Sequence, residues 1–474
     1  MFLTITNFGP ISKFEYDLSK DLIVVYGDNN IGKSYAMQLV YLILKNLREY
    51  AQDWIARENQ WHLFFHSQLP AGFLDRFLEN DGLKSMIEAG VNRIRDTDIS
   101  ENIDSLIKKD ILSHFIKNLR NSCENTFGNF ERILEGSPEI VLQTENTEFI
   151  FTFSNISGVL YPCPTFLKFS SGFCGLKREK DCLDVYYQDN DTLFSGILET
   201  VLSGQAKIAA DILSSIGDVY FLPASRSGIY TGMSAVSGVV AELSKNRNQV
   251  KKKVELPGIS EPVADYFLAI STLKARTNKT FVGICARIEQ DILRGTVRFD
   301  GRNKKLVYIT EESSSEFQMT EVSSMVSEVA PIVAFLKFII KPSKEKNAKP
   351  VIFIEEPEAH LHPHNQIQLI TLFAQLHQYG VKVIISSHSN YIFNKLNNLL
   401  LSGDLTPDMY SAILLEETDN GGSVSSFMNM DELGVDDLNF LDIAQSLYEE
   451  REALIEKINE QAIAEDLEQN EKRE

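Results

Sequence analysis

Apolar and polar residues alternate along FLTITNF near the start of the chain and again along FEYDL, while LIVVYG is a short continuous apolar run. Period-two alternation marks half-buried strands, and a short apolar run closed by glycine marks a buried one. After the run the pattern changes. KSYAMQLVYLILKNLREYAQ spaces its apolar residues by three and four, which predicts a helix. Residues from about 50 to 135 are charge-rich and mostly helical in pattern. EIVLQTENTEFIFTFS, residues 139–154, predicts a hairpin, and 155–200 is irregular, with Pro162, Pro164 and several glycines. SGILETVLSGQAKIAADILSSIG then predicts a helix.

DVYFLPASRSGIY, residues 218–230, reads as a short strand entering a polar loop. Residues 232–275 read mainly as helix, broken near LPGISEP, and GTVRFDGRNKKLVYITEE predicts a second hairpin. SSMVSEVAPIVAFLKFII predicts a loop feeding a buried helix. PVIFIEEPE is a strand, HNQIQLITLFAQLHQYG a helix closed by Gly380, and VKVIISSHS the next strand. YSAILLEETDNGGSVSSFMNM predicts a hairpin turning at Asn-Gly-Gly, and a charged amphipathic helix begins near 436. Strand and helix alternate after residue 318, which predicts parallel strands with helical crossovers. The hairpins predict an added antiparallel sheet, and the fold class is α/β.

The chain has 474 residues, enough for one large composite domain or two to three smaller ones. Hydrophobic residues make up 43% and charged residues 24%, ordinary for a globular protein. No apolar run is long enough to span a bilayer, and MFLTITNFGPI lacks the pattern of a signal peptide. The five cysteines are odd in number and form no C-x-x-C pair, which points to a reducing cytoplasm. A net charge of −20 excludes a protein that coats nucleic acid through its average field. DNA contact would need a local patch, and KNRNQVKKK at 245–253 is the conspicuous one. Its plainer and favoured reading is a solvated helix end or linker, because short charge runs usually lie at the surface.

Candidate chemistry starts at GDNNIGKS, which comprises Gly27, Asp28, Asn29, Asn30, Ile31, Gly32, Lys33 and Ser34. It fits G-x-x-x-x-G-K-[ST], between an apolar strand and a helix. The glycines let backbone N–H groups converge on phosphate, and the helix N-terminus adds partial positive charge. Lys33 would reach the β- and γ-phosphates of ATP, and the Ser34 hydroxyl would ligate Mg²⁺. The plainer reading is a Gly/Asn turn.

VIFIEE supplies what a phosphate loop lacks. A buried strand ending in Glu355 and Glu356 places both acids at the carboxyl edge of a parallel sheet, where ligands bind. Glu355 would sit near the Mg²⁺ shell and Glu356 would orient or deprotonate the attacking water. VIISSHS ends one strand–helix–strand unit later, with His388 placed to hydrogen-bond a γ-phosphate. Each of these features alone also reads as an ordinary strand end.

Lys33, Glu356 and His388, in this order, resemble the ATP-binding cassette ATPase heads of the SMC, RecF and Rad50 type. ITNFGPI before the loop resembles the first strand of RecF-like heads. IEEPEAHLHP, SSHS and YFLPASRSGIY resemble the subgroup that includes the overcoming-lysogenization-defect family. The resemblance implies a split ATPase head at 1–48 and 205–432, an inserted helical and β segment at 49–204, and a C-terminal amphipathic helix and polar tail from 433 to 474. It implies a signature loop that reaches a partner's γ-phosphate, here SSMVSEVAPI with Ser323, Ser324 and Glu328. Met325 and Val326 stand where that family has glycines, so hydrolysis is expected to be slow or to need a trigger. Gln143 is a guess for the family's Q-loop glutamine. The chain after His388 reads as too short for a Toprim nuclease, and no long heptad stretch is present.

A head without arms or nuclease resembles the ATPase subunits of anti-phage systems such as Septu or PARIS. That implies a homo-oligomer, a separate effector such as a nuclease, and a phage-derived trigger. Leu447, Leu454, Ile455 and Ile458 on one side of the C-terminal helix suit docking to a partner or to the chain's own head equally well. His360, His362 and His364 suit a zinc helix poorly, because Pro363 interrupts them and two-residue steps share no helical face. The resemblance makes them the turn that faces the other protomer. Two further readings stay open: a RecF-like DNA repair clamp and a non-hydrolytic, nucleotide-gated scaffold.

Overall fold

The structure is a computed structural model. It describes residues 1–65, 112–144, 147–153, 156–160, 166–171, 175–179, 182–187, 206–230, 232, 259–273, 278–301, 305–341, 348–419, 421–431, 434–436 and 445–459. The basic stretch 245–253 lies outside the described residues.

The chain opens with β1 (Phe2–Phe8), β2 (Ile11–Asp17) and β3 (Leu22–Gly27). The 33-residue helix Lys33–Phe65 follows the phosphate loop. Next come β4 (Glu139–Gln143), β5 (Glu148–Phe151) and β6 (Ile156–Leu160), and then β7 (Phe166–Ser171), β8 (Gly175–Glu179) and β9 (Cys182–Tyr187). The second half contributes β10 (Val219–Leu222), the hairpin β11 (Gly295–Asp300) and β12 (Lys305–Thr310) with β13 (Glu316–Gln318), then β14 (Val351–Glu355), β15 (Lys382–Ser386), β16 (Tyr410–Glu417) and β17 (Ser423–Phe427).

Eleven strands form one mixed sheet in the order β10-β14-β15-β3-β16-β17-β2-β1-β4-β5-β6. The first five run parallel. The antiparallel part expected as an addition is fused edge to edge through β17, which pairs antiparallel with β16 and parallel with β2. Strands β4 to β6, within the 49–204 segment, extend this same sheet from β1.

Period-two geometry explains the two cores. Ile23 and Val25 of β3, with Val351 and Phe353 of β14, face one cluster together with the Lys33–Phe65 helix. Leu22, Val24 and Tyr26, with Ile352 and Ile354, face the other, which holds the helices Ser324–Ala334, Pro363–Ala374 and Asn390–Leu401. Strands buried on both faces read as continuous apolar runs, as LIVVY and VIFI do.

Two stretches differ from their expectation. Residues 155–200, expected to be irregular, contain the strands β6 to β9, whose alternation is masked by the prolines and glycines between them. The polar loop after β10 is a turn at Ala224 and Ser225 followed by a helix from Arg226 to Tyr230. Ser225 adopts φ +53°, and its carbonyl accepts the Ile229 N–H, which starts the helix. The C-terminal residues 445–459 are helical as expected, and Leu447, Leu454, Ile455 and Ile458 are exposed.

Candidate nucleotide site

Neighbouring parallel strands assemble the site. β3 pairs with β15 and β15 with β14, so the carboxyl ends of these strands lie side by side at one sheet edge. Those ends carry Gly27, the Ser387–His388 pair, and Glu355 with Glu356.

The phosphate loop is tightly confined. Gly27 has φ +136°, and an added Cβ would lie 2.4 Å from the Leu415 carbonyl oxygen and 2.5 Å from Ile31 Cδ1. Asn30 (φ +66°) and Gly32 (φ +100°) also take left-handed conformations, and a Cβ on Gly32 would press Pro10. Ser423 Oγ, at the start of β17, donates to the Ile31 carbonyl. Gly27→Ala is therefore expected to cost several kcal/mol, since a β-carbon at that φ meets a backbone carbonyl that cannot move aside. A thermal melt beside a nucleotide titration checks this, with both expected to drop.

Lys33 is buried, and its Nζ donates to the carbonyls of Gly27 at 2.9 Å and Asp28 at 2.5 Å. Burial lowers its pKa to about 8, against the opposing pull of Glu356, Asp28 and Glu358.

Glu355 ends β14 with its side chain buried. Oε2 accepts the Ala224 N–H at 3.2 Å, while Oε1 has no hydrogen-bond partner. Burial raises its pKa. The Ala224 N–H and the nearby Ser34 and Gln38 side chains favour the charged form. Glu356 adopts φ +42°, its N–H donates to the Ser386 carbonyl at 3.1 Å, and its Oε1 lies 3.7 Å from His388 Nε2. The His388 pKa is lowered by burial and by Lys33, with Glu356, Asp28 and a bond to the Gly27 backbone resisting. The ring is therefore neutral at pH 7.

Two residues of quoted motifs, Glu358 and Arg226, were given no role by the sequence. Glu358 Oε1 accepts the Ser387 hydroxyl at 2.8 Å and the His388 N–H at 2.7 Å, which fixes the peptide that carries the histidine. Arg226 is fully buried and donates to the carbonyls of Pro223, Glu355, Glu356 and Glu328. The third acid of E-E-P-E could have flagged Glu358. For Arg226 the signal was the Pro-Ala-x-Arg end of YFLPASRSGIY, which the resemblance marked without giving the arginine a role.

Ser323 caps the Ser324–Ala334 helix by accepting the Val326 N–H, and Ser324 is its first residue. Both are exposed. Among the described residues, neither hydroxyl bonds to the phosphate loop, so this chain does not bring them to Lys33. Gln143 donates to Glu148 across the β4–β5 hairpin, whereas Gln38 is the glutamine beside Glu355. His362 caps the Pro363–Ala374 helix by accepting the His364 N–H at Nδ1, and His360 and His364 are exposed.

The arrangement fits a nucleotide with a divalent cation. A buried ammonium stands inside the glycine-bearing loop, and the Glu355 carboxylate, which the Ser34 side chain adjoins, keeps a buried oxygen, Oε1, without a hydrogen-bond partner. Lys33 and the loop would hold the phosphates, and Ser34 with Glu355 the cation. A site of this kind, on the carboxyl edge of a parallel sheet after a phosphate loop, is that of a P-loop nucleotide-binding domain. The chain matches the AAA_15 AAA ATPase domain over residues 1–393 and belongs to that family. No curated protein matches it. Similar solved structures are SMC heads at low identity. An SMC head bound to the C-winged helix domain of ScpA is 11% identical, covering 91% of this chain and 98% of that one, with a TM-score of 0.35. The SMC head domain from Thermotoga maritima is 9% identical, over 90% and 98%, with a TM-score of 0.35. A head with an extended coiled coil bound to the C-terminal domain of ScpA, from Pyrococcus furiosus, is 11% identical, over 95% and 98%, at 0.32. No helix among the described residues is long and apolar enough to cross a membrane.

Proposed function

We propose that the chain hydrolyses Mg-ATP and that two heads associate around the bound nucleotides to control a separate effector, a nuclease or toxin, in anti-phage defence. The reading is supported above all by the convergence of Lys33, Glu355, Glu356 and His388 on one sheet edge. Bound Mg-ATP supplies the phosphoryl group open to attack by water. Lys33 neutralises phosphate charge. Glu356 holds the water and takes its proton at Oε1, and neutral His388 donates a hydrogen bond. Ser323 and Ser324, exposed at a helix N-terminus, suit contact with the phosphates of a second copy. The head comprises 1–48 and 205–432, with 49–204 inserted and 433–474 as a tail. A cytoplasmic setting accords with the cysteine content. Defence rather than repair is favoured by the family resemblance of IEEPEAHLHP and SSHS.

Head association is tested by Ser324→Arg. Purified wild-type protein with ATP is expected to sediment as a larger species, and the variant is expected to remain small while still binding one nucleotide per chain. Equal sedimentation of the two overturns the shared-site reading. A non-hydrolytic scaffold is favoured by one observation: Val326 is buried in the helix where the family has a glycine. Phosphate release from the purified protein, measured alone and with ATP-driven association, separates the two readings.

A further inference from the structure

We propose that Arg226 is a positioning residue that links the Ser323–Ser324 helix end to the geometry of Glu356. The inference rests on the reading that Glu356 holds the attacking water.

Glu356 sits in a left-handed conformation at φ +42°, which a β-carbon disfavours. Such a backbone persists only where its surroundings hold it. The hold comes from both sides of the residue. The Glu356 N–H is bound by the Ser386 carbonyl of β15. Its carbonyl accepts from Arg226 Nη2 at 3.3 Å, and the preceding Glu355 carbonyl accepts from Arg226 Nη1 at 2.7 Å. One guanidinium thus clamps two consecutive carbonyls at the turn where the strand ends and the acids begin.

The other edge of the same guanidinium faces a different element. Arg226 Nε donates to the Glu328 carbonyl at 3.1 Å and lies 3.4 Å from Glu328 Oε2. Both side chains are almost wholly inaccessible to solvent. Glu328 Oε1 in turn accepts the Ser227 hydroxyl at 2.6 Å and the Ser227 N–H at 3.2 Å, locking the start of the 226–230 helix. Glu328 stands one helical turn beyond Ser324, in a helix whose first residues are exposed. A push or pull on that exposed end moves Glu328, and through the rigid fork of Arg226 it moves the carbonyls that set Glu356. The planar five-donor group suits this task. A lysine could hold the charge but could not span the two elements at once. Contact at the helix end thereby becomes a change in the orientation of the acid.

A merely structural ion pair behaves differently, and a double-variant cycle separates the cases. Arg226→Gln alone leaves Glu328 as an uncompensated buried charge and is expected to fold poorly, so the informative protein is Arg226→Gln with Glu328→Gln, which removes both charges together. The double variant is expected to melt near the wild type and to bind ATP with unchanged affinity. Its kcat is expected to fall about a hundredfold, because the acid is no longer held in place. Arg226→Lys is expected to lower kcat with little change in KM. Wild-type kcat in a double variant that melts normally overturns the proposal and leaves the pair a structural one. Glu356→Gln runs alongside. If that variant also turns over normally, the reading of Glu356 fails; if it is inactive while the double variant is active, only the role of Arg226 fails.

Discussion

Glu356→Gln is expected to lower ATP turnover by about a hundredfold to ten-thousandfold, the range that a positioned proton acceptor contributes. ATP affinity is expected to stay close to the wild-type value. The amide keeps the size and hydrogen-bonding reach of the acid but cannot take a proton. The carbonyl and N–H of residue 356 are held by Arg226 and Ser386, so the backbone has no cause to rearrange. The side chain is partly exposed, so no buried charge is removed and no folding defect is expected. Phosphate release under single-turnover conditions reads the chemical step, and a fluorescent nucleotide titration reads binding. A variant that hydrolyses ATP at the wild-type rate would falsify the water-positioning role. With turnover stopped, the associated state is expected to accumulate with ATP.

The second large effect is a dependence of ATP affinity on pH. Lys33 carries a pKa lowered to about 8 by burial. Bound phosphate favours the ammonium, so binding above that value requires proton uptake. ATP affinity is therefore expected to be flat from pH 7 to about 8 and then to fall by about tenfold per pH unit. Stability runs the opposite way. The folded pKa lies below the ordinary lysine value of 10.5, so the unfolded chain binds more protons between the two. The cost of burying the ammonium is relieved as pH rises through that window. Lys382, also lowered to about 8 by burial, adds to stability with the same sign, so binding is the cleaner measurement. Isothermal titration at several pH values in buffers of different ionisation enthalpy counts the proton directly. In Lys33→Ala the slope is expected to vanish along with most of the affinity; a slope that persists there assigns the proton to another group.

Local features of the site were legible and distant ones were not. GDNNIGKS announces itself because a phosphate loop is built from consecutive residues and their backbone angles. VIFIEE and VIISSHS are legible for a related reason: each is a buried strand whose polarity changes abruptly where the sheet ends. Arg226 and Glu358 depend on partners that lie far away in sequence or on the next strand. Arg226 meets Glu328, and Glu358 meets His388, across contacts that no window of residues displays. The C-terminal stripe was readable as amphipathic from its spacing, yet the spacing could not say that it would lie exposed. The fusion of the antiparallel strands onto β16 through β17 was likewise hidden, since alternation predicts a strand and leaves its neighbour open.

The place of β3 in the sheet has a consequence for the newly made chain. β3 leaves the ribosome long before its hydrogen-bonding neighbours β15 and β16, which are translated after residue 381. At ordinary elongation rates the gap lasts on the order of tens of seconds. During that time an apolar strand and a phosphate loop exist without the two flanking strands that shape them. A product stalled before β15 therefore carries the nucleotide motif in its sequence but cannot form the pocket, so nucleotide occupancy in a cell reports chains in which β15 and β16 have been synthesised and docked.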